Sequence, residues 1–354
     1  MPRLLATNAV LTTLVAITSA TATFADIKLN GAGASFPAPL YRFWVSEYQK
    51  AHPNVKIDYQ SIGSGGGIKG ITDKTIDFGA TDAPLNKKEI EGLGGADKII
   101  QFPLIIGGVV PAYNLPGVDK DLNFSGEVLA KIFLGEIATW NDPEIVALNP
   151  EAKLPASPIT PAWRSDGSGT TYVFSSYLAT QYSAFESTVG TGKQIRFPLG
   201  QGGKGNEGVA AIIKQTPGSI GYIEHNFATA NRISYGAVRN AAGNFIKATP
   251  ANMSVAGEAS ADSLKGDVLA ANIWNQPGAE VYPISAFSYI ILYKDLGNLA
   301  SIDEAKALTA FFRWALSAGQ DRAGSMDYAP LSAGVRSRVE ASLDRLTFKG
   351  ASLK

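Results

Sequence analysis

Apolar positions along the chain fall into two rhythms. Short β-type runs, Val55 to Tyr59, Ile76 to Ala80, Ile99 to Ala112, Pro158 to Arg164, Ser219 to Ile223 and Tyr289 to Tyr293, alternate with stretches whose apolar residues recur three and four positions apart. The runs predict strands and the stretches predict amphipathic helices, so the alternation points to an α/β architecture. One helix is predicted around Leu40, Phe43, Trp44 and Tyr48. Another is predicted around Ala305, Leu308, Phe312 and Ala315, opened by a capping box of Ser301 and Glu304.

One apolar run is too long for an ordinary strand. "QFPLIIGGVVPAYNLPG", Gln101 to Gly117, carries three prolines and three glycines and reads as a strand leaving one domain and entering the next. "VYPISAFSYIILY", Val281 to Tyr293, predicts a second crossing. Two crossings make one lobe discontinuous: residues 26–102 with 286–354 form lobe I, and residues 103–285 form lobe II. The segment from Asn240 to Lys265, rich in Ala, Ser and Asn, predicts a variable loop and helix region.

The N-terminus follows neither rhythm. Arg3, an apolar stretch from Leu4 to Ile17 and small residues up to Ala25 predict a secretory signal over residues 1–25, cleaved after Ala25 or Ala22. The rest carries 30 basic against 31 acidic side chains, and that balance gives no sign of a nucleic-acid partner. With no cysteine, disulfides, thiolate metal sites and a lipid-modified N-terminal cysteine are excluded. An exported, unlipidated chain is expected in the periplasm. His52 and His225 are the only histidines, isolated from each other, and are expected to be surface or structural residues rather than metal ligands.

Candidate chemistry concentrates in three loops of one design. In "GAGASFPAPLYRFW", Ser35 precedes two prolines and a helix, which Ser35 or its neighbour is placed to cap. In "YQSIGSGGGIKG", Ser64 and three glycines follow a strand. In "WRSDGSGTTYVF", a strand ends near Arg164, and Ser168, Gly169 and Thr170 lead into a helix. Each loop leaves backbone N–H groups free at the positive end of a helix dipole. One such loop is ordinary capping; three that follow extended segments point to a small anion at the carboxyl ends of strands.

Enzyme signatures fit less well. Neither Ser64 nor Ser168 sits in G-x-S-x-G, because positions 62 and 166 are Ile and Asp, and no histidine stands out as a base. "GGKGNEG", Gly202 to Gly208, has Gly205 where a phosphate-binding Walker loop needs Ser or Thr after Lys204. Gly65, Gly67 and Gly70 do form G-x-G-x-x-G after a strand, with Asp82 beyond it. That dinucleotide pattern leaves the Arg164 loop unexplained.

Over essentially the whole mature chain the sequence resembles the periplasmic phosphate-binding proteins of high-affinity phosphate ABC transporters. "GAGASFPAPLY", "YQSIGSGGGIKGI", "IDFGATDAPL", "QFPLIIGGVVPAYNLPG", "WRSDGSGTTYVFSSYL", "GGKGNEGVAA" and "PGSIGYIE" occur in that family's order. The resemblance implies a type II periplasmic binding protein fold of two α/β lobes joined by crossing strands, closing on one phosphate. It implies as phosphate ligands Ser35, Phe36 through its backbone N–H, Ser64, Asp82, Arg164, Ser168, Gly169 and Thr170, with Ser35 standing where the family often has Thr. It further implies a monomer that delivers phosphate to membrane permease subunits, with no cofactor.

The residue types make chemical sense of that set. Arg164 offers a planar fork for two phosphate oxygens, and Asp166 two residues on is placed to hold it. Asp82 beside a bound anion repels it unless the anion carries a proton that the carboxylate can accept. Phosphate near neutral pH has such a proton and sulfate does not, so Asp82 selects phosphate. The bland alternative is that Asp82 caps the turn before Pro84. An exported phosphate-ester hydrolase on the same fold is the alternative function, and it needs a nucleophile, base or metal ligands beside these donors.

Overall fold

A computed structural model describes residues 26–258 and 260–354. The expected export signal lies outside them. The chain begins with β1 (Ile27–Gly33), α1 (Ala38–Ala51), β2 (Val55–Ser61), α2 (Ser64–Thr72), β3 (Phe78–Thr81) and β4 (Ile99–Asn114). It continues with β5 (Thr160–Arg164), α3 (Gly169–Gln181), β6 (Gln201–Gly203), α4 (Gly205–Gln215), β7 (Ser219–Glu224), β8 (Ser285–Tyr293) and α5 (Ile302–Leu316).

These strands make one path in the order β2-β1-β3-β8-β4-β7-β5-β6, with Ser234–Tyr235 paired beside β4. In the first half, β1 runs parallel to β2 and β3, and β8 is antiparallel to both β3 and β4. In the second half, β5 runs parallel to β6 and β7. The long β4 belongs to both: residues 99–108 pair with β8, and residues 109–114 pair with β7. Every residue from Ile99 to Tyr113 is buried, as a strand covered on both faces requires.

All six predicted strands are present, and two further strands of the same sheet lie outside the predicted runs. β1 reads "IKLNGAG" and β6 reads "QGG". Their small residues answer to packing. A Cβ on Gly31 would lie 2.0 Å from the Phe78 ring, and one on Gly67 of α2 would lie 2.6 Å from the Gly33 Cα and 2.7 Å from the Ala80 carbonyl oxygen. α2 therefore sits directly on the backbones of β1 and β3. Two of the four glycines in "SGGGIKG" serve close backbone approaches, Gly67 here and Gly65 in the contact described below.

The helices follow their predicted faces. Leu40, Trp44 and Tyr48 of α1 are buried, and Ser301 accepts from the Glu304 N–H at 3.1 Å to open α5. Glu304 reaches one residue further back than a capping box does, to the Ala300 N–H. The Asn240–Lys265 segment contains the predicted helix, Pro250–Glu258, after a small hairpin between Ala237–Arg239 and Phe245–Ile246.

The contact of α2 with the β1 backbone has no side chain to yield. Gly67→Ala should lower stability by about 2–3 kcal/mol, read from urea unfolding, as expected for overpacking against backbone.

Candidate functional site

The carboxyl ends of β1, β2, β3, β5, β6 and β7 meet where the two halves of the sheet adjoin, and the strand ends, loops and helix starts there carry the residues expected to bind phosphate. β1 ends at Gly33, whose φ of +143° turns the chain towards Ser35. α1 starts at Ala38 after Pro37, and no side chain caps it. Ser35 is therefore not a helix cap, because the prolines fix the first turn. Its Oγ instead accepts from the Asn206 backbone N–H at 3.1 Å and from Asn206 Nδ2 at 2.9 Å. Phe36 buries its ring against Gly107, and its carbonyl accepts from the Tyr328 hydroxyl at 2.7 Å.

Ser64 follows Gly63 and is fully buried. It does not cap α2 either. Its Oγ accepts from Gly169 N at 3.0 Å and from Asp82 N at 3.2 Å, bonds that span 105 and 18 residues of chain. Gly169 has no room for a side chain, since a Cβ there would lie 2.6 Å from both Ser64 Oγ and Asp82 Cβ. Gly65 N donates to the Gly167 carbonyl at 2.8 Å, and a Cβ on Gly65 would lie 3.2 Å from Gly167 Cα. The glycines bring two loop backbones into contact.

Asp82 is 3% exposed. Its Oδ1 accepts from Ser288 Oγ at 2.8 Å, and Oδ2 lies 3.5 Å from Ser64 Oγ. The turn before Pro84 is closed by Thr81, whose Oγ1 donates to the Ala83 carbonyl and accepts from the Ala83 N–H. The capping alternative for Asp82 therefore falls away. Burial drives its carboxyl from the ordinary range up to about 7, against the pull of the Ser288 bond, the Arg164 charge and Ser64.

Arg164 ends β5 with its side chain 1% exposed. Nε donates to Asp166 Oδ1 at 2.8 Å and Nη2 to Oδ2 at 2.6 Å, the two-pronged hold anticipated for Asp166. Nη1 donates to Thr170 Oγ1 at 3.2 Å. Burial pushes the Asp166 carboxyl up, but the bonds and charge of Arg164 outweigh it, helped by the Gly205 N–H, and hold it below the ordinary carboxylate range. Asp166 also explains Gly63: a Cβ there would lie 2.2 Å from Asp166 Oδ2, and φ is +83°. Ser168 is a helix cap, accepting from Thr171 N at 3.0 Å. Its hydroxyl oxygen holds α3 while Thr170 Oγ1 receives Arg164 and Asn206.

The structure thus brings together Ser35, Phe36, Ser64, Asp82, Arg164, Asp166, Ser168, Gly169 and Thr170. Sequence reasoning passed over two neighbours. Asn206 lies in the first turn of α4, directly after β6, in a fourth copy of the strand, glycine and helix design. Ser288 is a buried serine in the apolar run of β8. The histidines lie elsewhere: His52 stacks on Tyr48, and His225 contacts the Tyr235 hydroxyl at 3.0 Å with its basicity lowered by burial. Among the described residues no group of three or more His, Asp or Glu is arranged to hold a metal ion.

A family model described as the PBP superfamily domain matches residues 18–318. The phosphate-binding protein PstS of Haemophilus influenzae is 43% identical, an alignment covering 92% of this chain and 95% of that protein. The chain belongs to this family of phosphate-binding proteins. A second family member, PstS of Pasteurella multocida, is also 43% identical, over 88% of this chain and 89% of its own. The phosphate-binding protein of Stenotrophomonas maltophilia, solved by crystallography, is 17% identical with a TM-score of 0.67, covering 89% of this chain and 93% of that one. The family's type II periplasmic binding fold, anticipated from the sequence, is the mixed two-part sheet described above.

Arg164 and Asp166 are buried as a pair, so removing one partner strands the other. Asp166→Ala should destabilise the protein by about 3 kcal/mol in urea unfolding, and the Arg164→Ala, Asp166→Ala double variant should lose less than the two single losses combined.

Proposed function

We propose that the chain captures inorganic phosphate between its two lobes and delivers it to the membrane permease of an ABC importer. The ligand set is Ser35, the Phe36 N–H, Ser64, Asp82, Arg164, Ser168, Gly169 and Thr170, with Asp166 holding Arg164. The observation that carries this reading is a buried guanidinium flanked by hydroxyls and facing one carboxylate of near-neutral proton affinity. Three of the guanidinium's five N–H groups bond Asp166 and Thr170, and among the described residues no acceptor takes the other two. An anion of two or more oxygens fits that remainder. The names of the family's members, together with their 43% identity to this chain, support the same ligand.

The lobes are residues 26–102 with 286–354, and residues 103–285, hinged where β4 and β8 pass between them. Closure round the anion gives the permease a state to recognise on both lobes. The N-terminal segment fits export to the periplasm, and the protein acts as a monomer. Hydrolysis of a phosphate ester has less support: Ser168 Oγ is engaged in capping α3, and both histidines lie with other partners.

Asp82 supplies the selectivity. Its carboxylate accepts the proton of hydrogen phosphate and meets only lone pairs on sulfate. Below pH about 7 the carboxyl is neutral and able to donate to sulfate; above it, sulfate binding must take up a proton. In calorimetry, phosphate should bind at about 1 μM or tighter. Sulfate affinity should be flat below pH about 7 and fall roughly tenfold per unit above it. Asp82→Asn should flatten that fall and narrow the gap between the anions. Tight sulfate binding at pH 8 by the unaltered chain would overturn the role given to Asp82; turnover of p-nitrophenyl phosphate would overturn the transport reading.

A further inference from the structure

A hydroxyl is an ambiguous ligand, because its oxygen offers one donor and two acceptor positions and its proton rotates to suit whatever arrives. In this cleft the ambiguity is removed. Ser35 Oγ accepts twice from Asn206, from the backbone N–H at 3.1 Å and from Nδ2 at 2.9 Å. Thr170 Oγ1 accepts from Arg164 Nη1 at 3.2 Å and again from Asn206 Nδ2 at 3.2 Å. Ser64 Oγ accepts from Gly169 N and Asp82 N at 3.0 and 3.2 Å. All three oxygens have their two acceptor positions filled by protein donors.

We propose that Asn206 is a positioning residue that fixes the polarity of the cleft, filling both acceptor positions of Ser35 and, together with Arg164, those of Thr170, so that each hydroxyl can only donate to the ligand. This rests on the phosphate reading above. It accounts for how neutral residues select an acceptor-rich anion over water or a sugar hydroxyl, both of which bring donors of their own. The amide is held one way round: Oδ1 accepts from the Glu224 N–H at 2.9 Å, so a flipped side chain would set NH₂ against that N–H and turn an acceptor towards both hydroxyls. Asn206 is fully buried and sits on α4, while Ser35 follows β1 and Thr170 sits on α3. One side chain thereby sets hydroxyls contributed by both halves of the sheet.

Asn206→Asp keeps the shape and reverses the polarity, since its carboxylate oxygens would accept the Ser35 and Thr170 protons. Phosphate affinity measured by calorimetry should fall at least about a hundredfold, and in Asn206→Ala about tenfold. A merely structural asparagine would weaken binding too, so the deciding measurement is coupling. In a Ser35→Ala, Thr170→Val background there is no hydroxyl left to orient, and adding Asn206→Ala should cost less than twofold. Thermal unfolding establishes that each variant is folded; if Asn206→Asp is not, the Asn206→Ala comparison decides alone. An equal penalty in both backgrounds, or full affinity in Asn206→Ala, overturns the polarity role while leaving the phosphate reading standing. No binding of phosphate by the unaltered chain overturns both.

Discussion

A guanidinium removed from water governs the layout of this protein. The Arg164 guanidinium is almost wholly enclosed, so its surroundings must return what water gave up. Asp166 returns most of it through two parallel bonds. That pairing then constrains its neighbours: Gly63 is glycine because Asp166 leaves no space for a Cβ, and the Gly205 N–H is turned to the same carboxylate. Two loops from opposite ends of the sheet are shaped by one ion pair.

Its near-neutrality is equally consequential. Arg164 with Asp166 carries no net charge, so an anion beside it is held chiefly by oriented dipoles from hydroxyls and backbone N–H groups. Dipoles fixed in a low-dielectric cleft are strong at contact and fade quickly with distance. Asp82 can therefore sit close by without abolishing anion binding, and its burial moves its proton affinity into the range where phosphate itself titrates. A full uncompensated positive charge would bind any dianion; under the function proposed above, the compensated one would leave discrimination to Asp82.

Much of this was legible in the chain, and the gaps have physical causes. The strand runs, the long crossing strand and the Arg164–Asp166 pair are local patterns, and local patterns survive in sequence. β1 and β6 were less so: β1 offers only Ile27 and Leu29 before a glycine and alanine end, and β6 is Gln-Gly-Gly, because neighbours press closely on these backbones. Ser35 and Ser64 look like helix caps in sequence, yet their oxygens receive donors from distant loops. The bond from Ser288 to Asp82 joins residues 206 apart, and Asn206 lies 171 from Ser35. No spacing rule reaches such pairs; they emerge only when the sheet sets the strand ends side by side.

The sheet order also has a consequence for the making of the protein. β8 lies between β3 and β4, so the strands that leave the ribosome first cannot be joined to the long strand until residues 285–293 have followed. Until then β3 and β4 have open edges, and joining them to β8 closes a longer loop, at a larger entropic cost, than pairing β5 with β7 does. The later-synthesised middle of the chain is free to fold beforehand. The half of the molecule that is born first is thus completed last, and a chain interrupted before residue 285 would retain Arg164 and its aspartate but have neither Ser288 nor a finished sheet to carry Asp82.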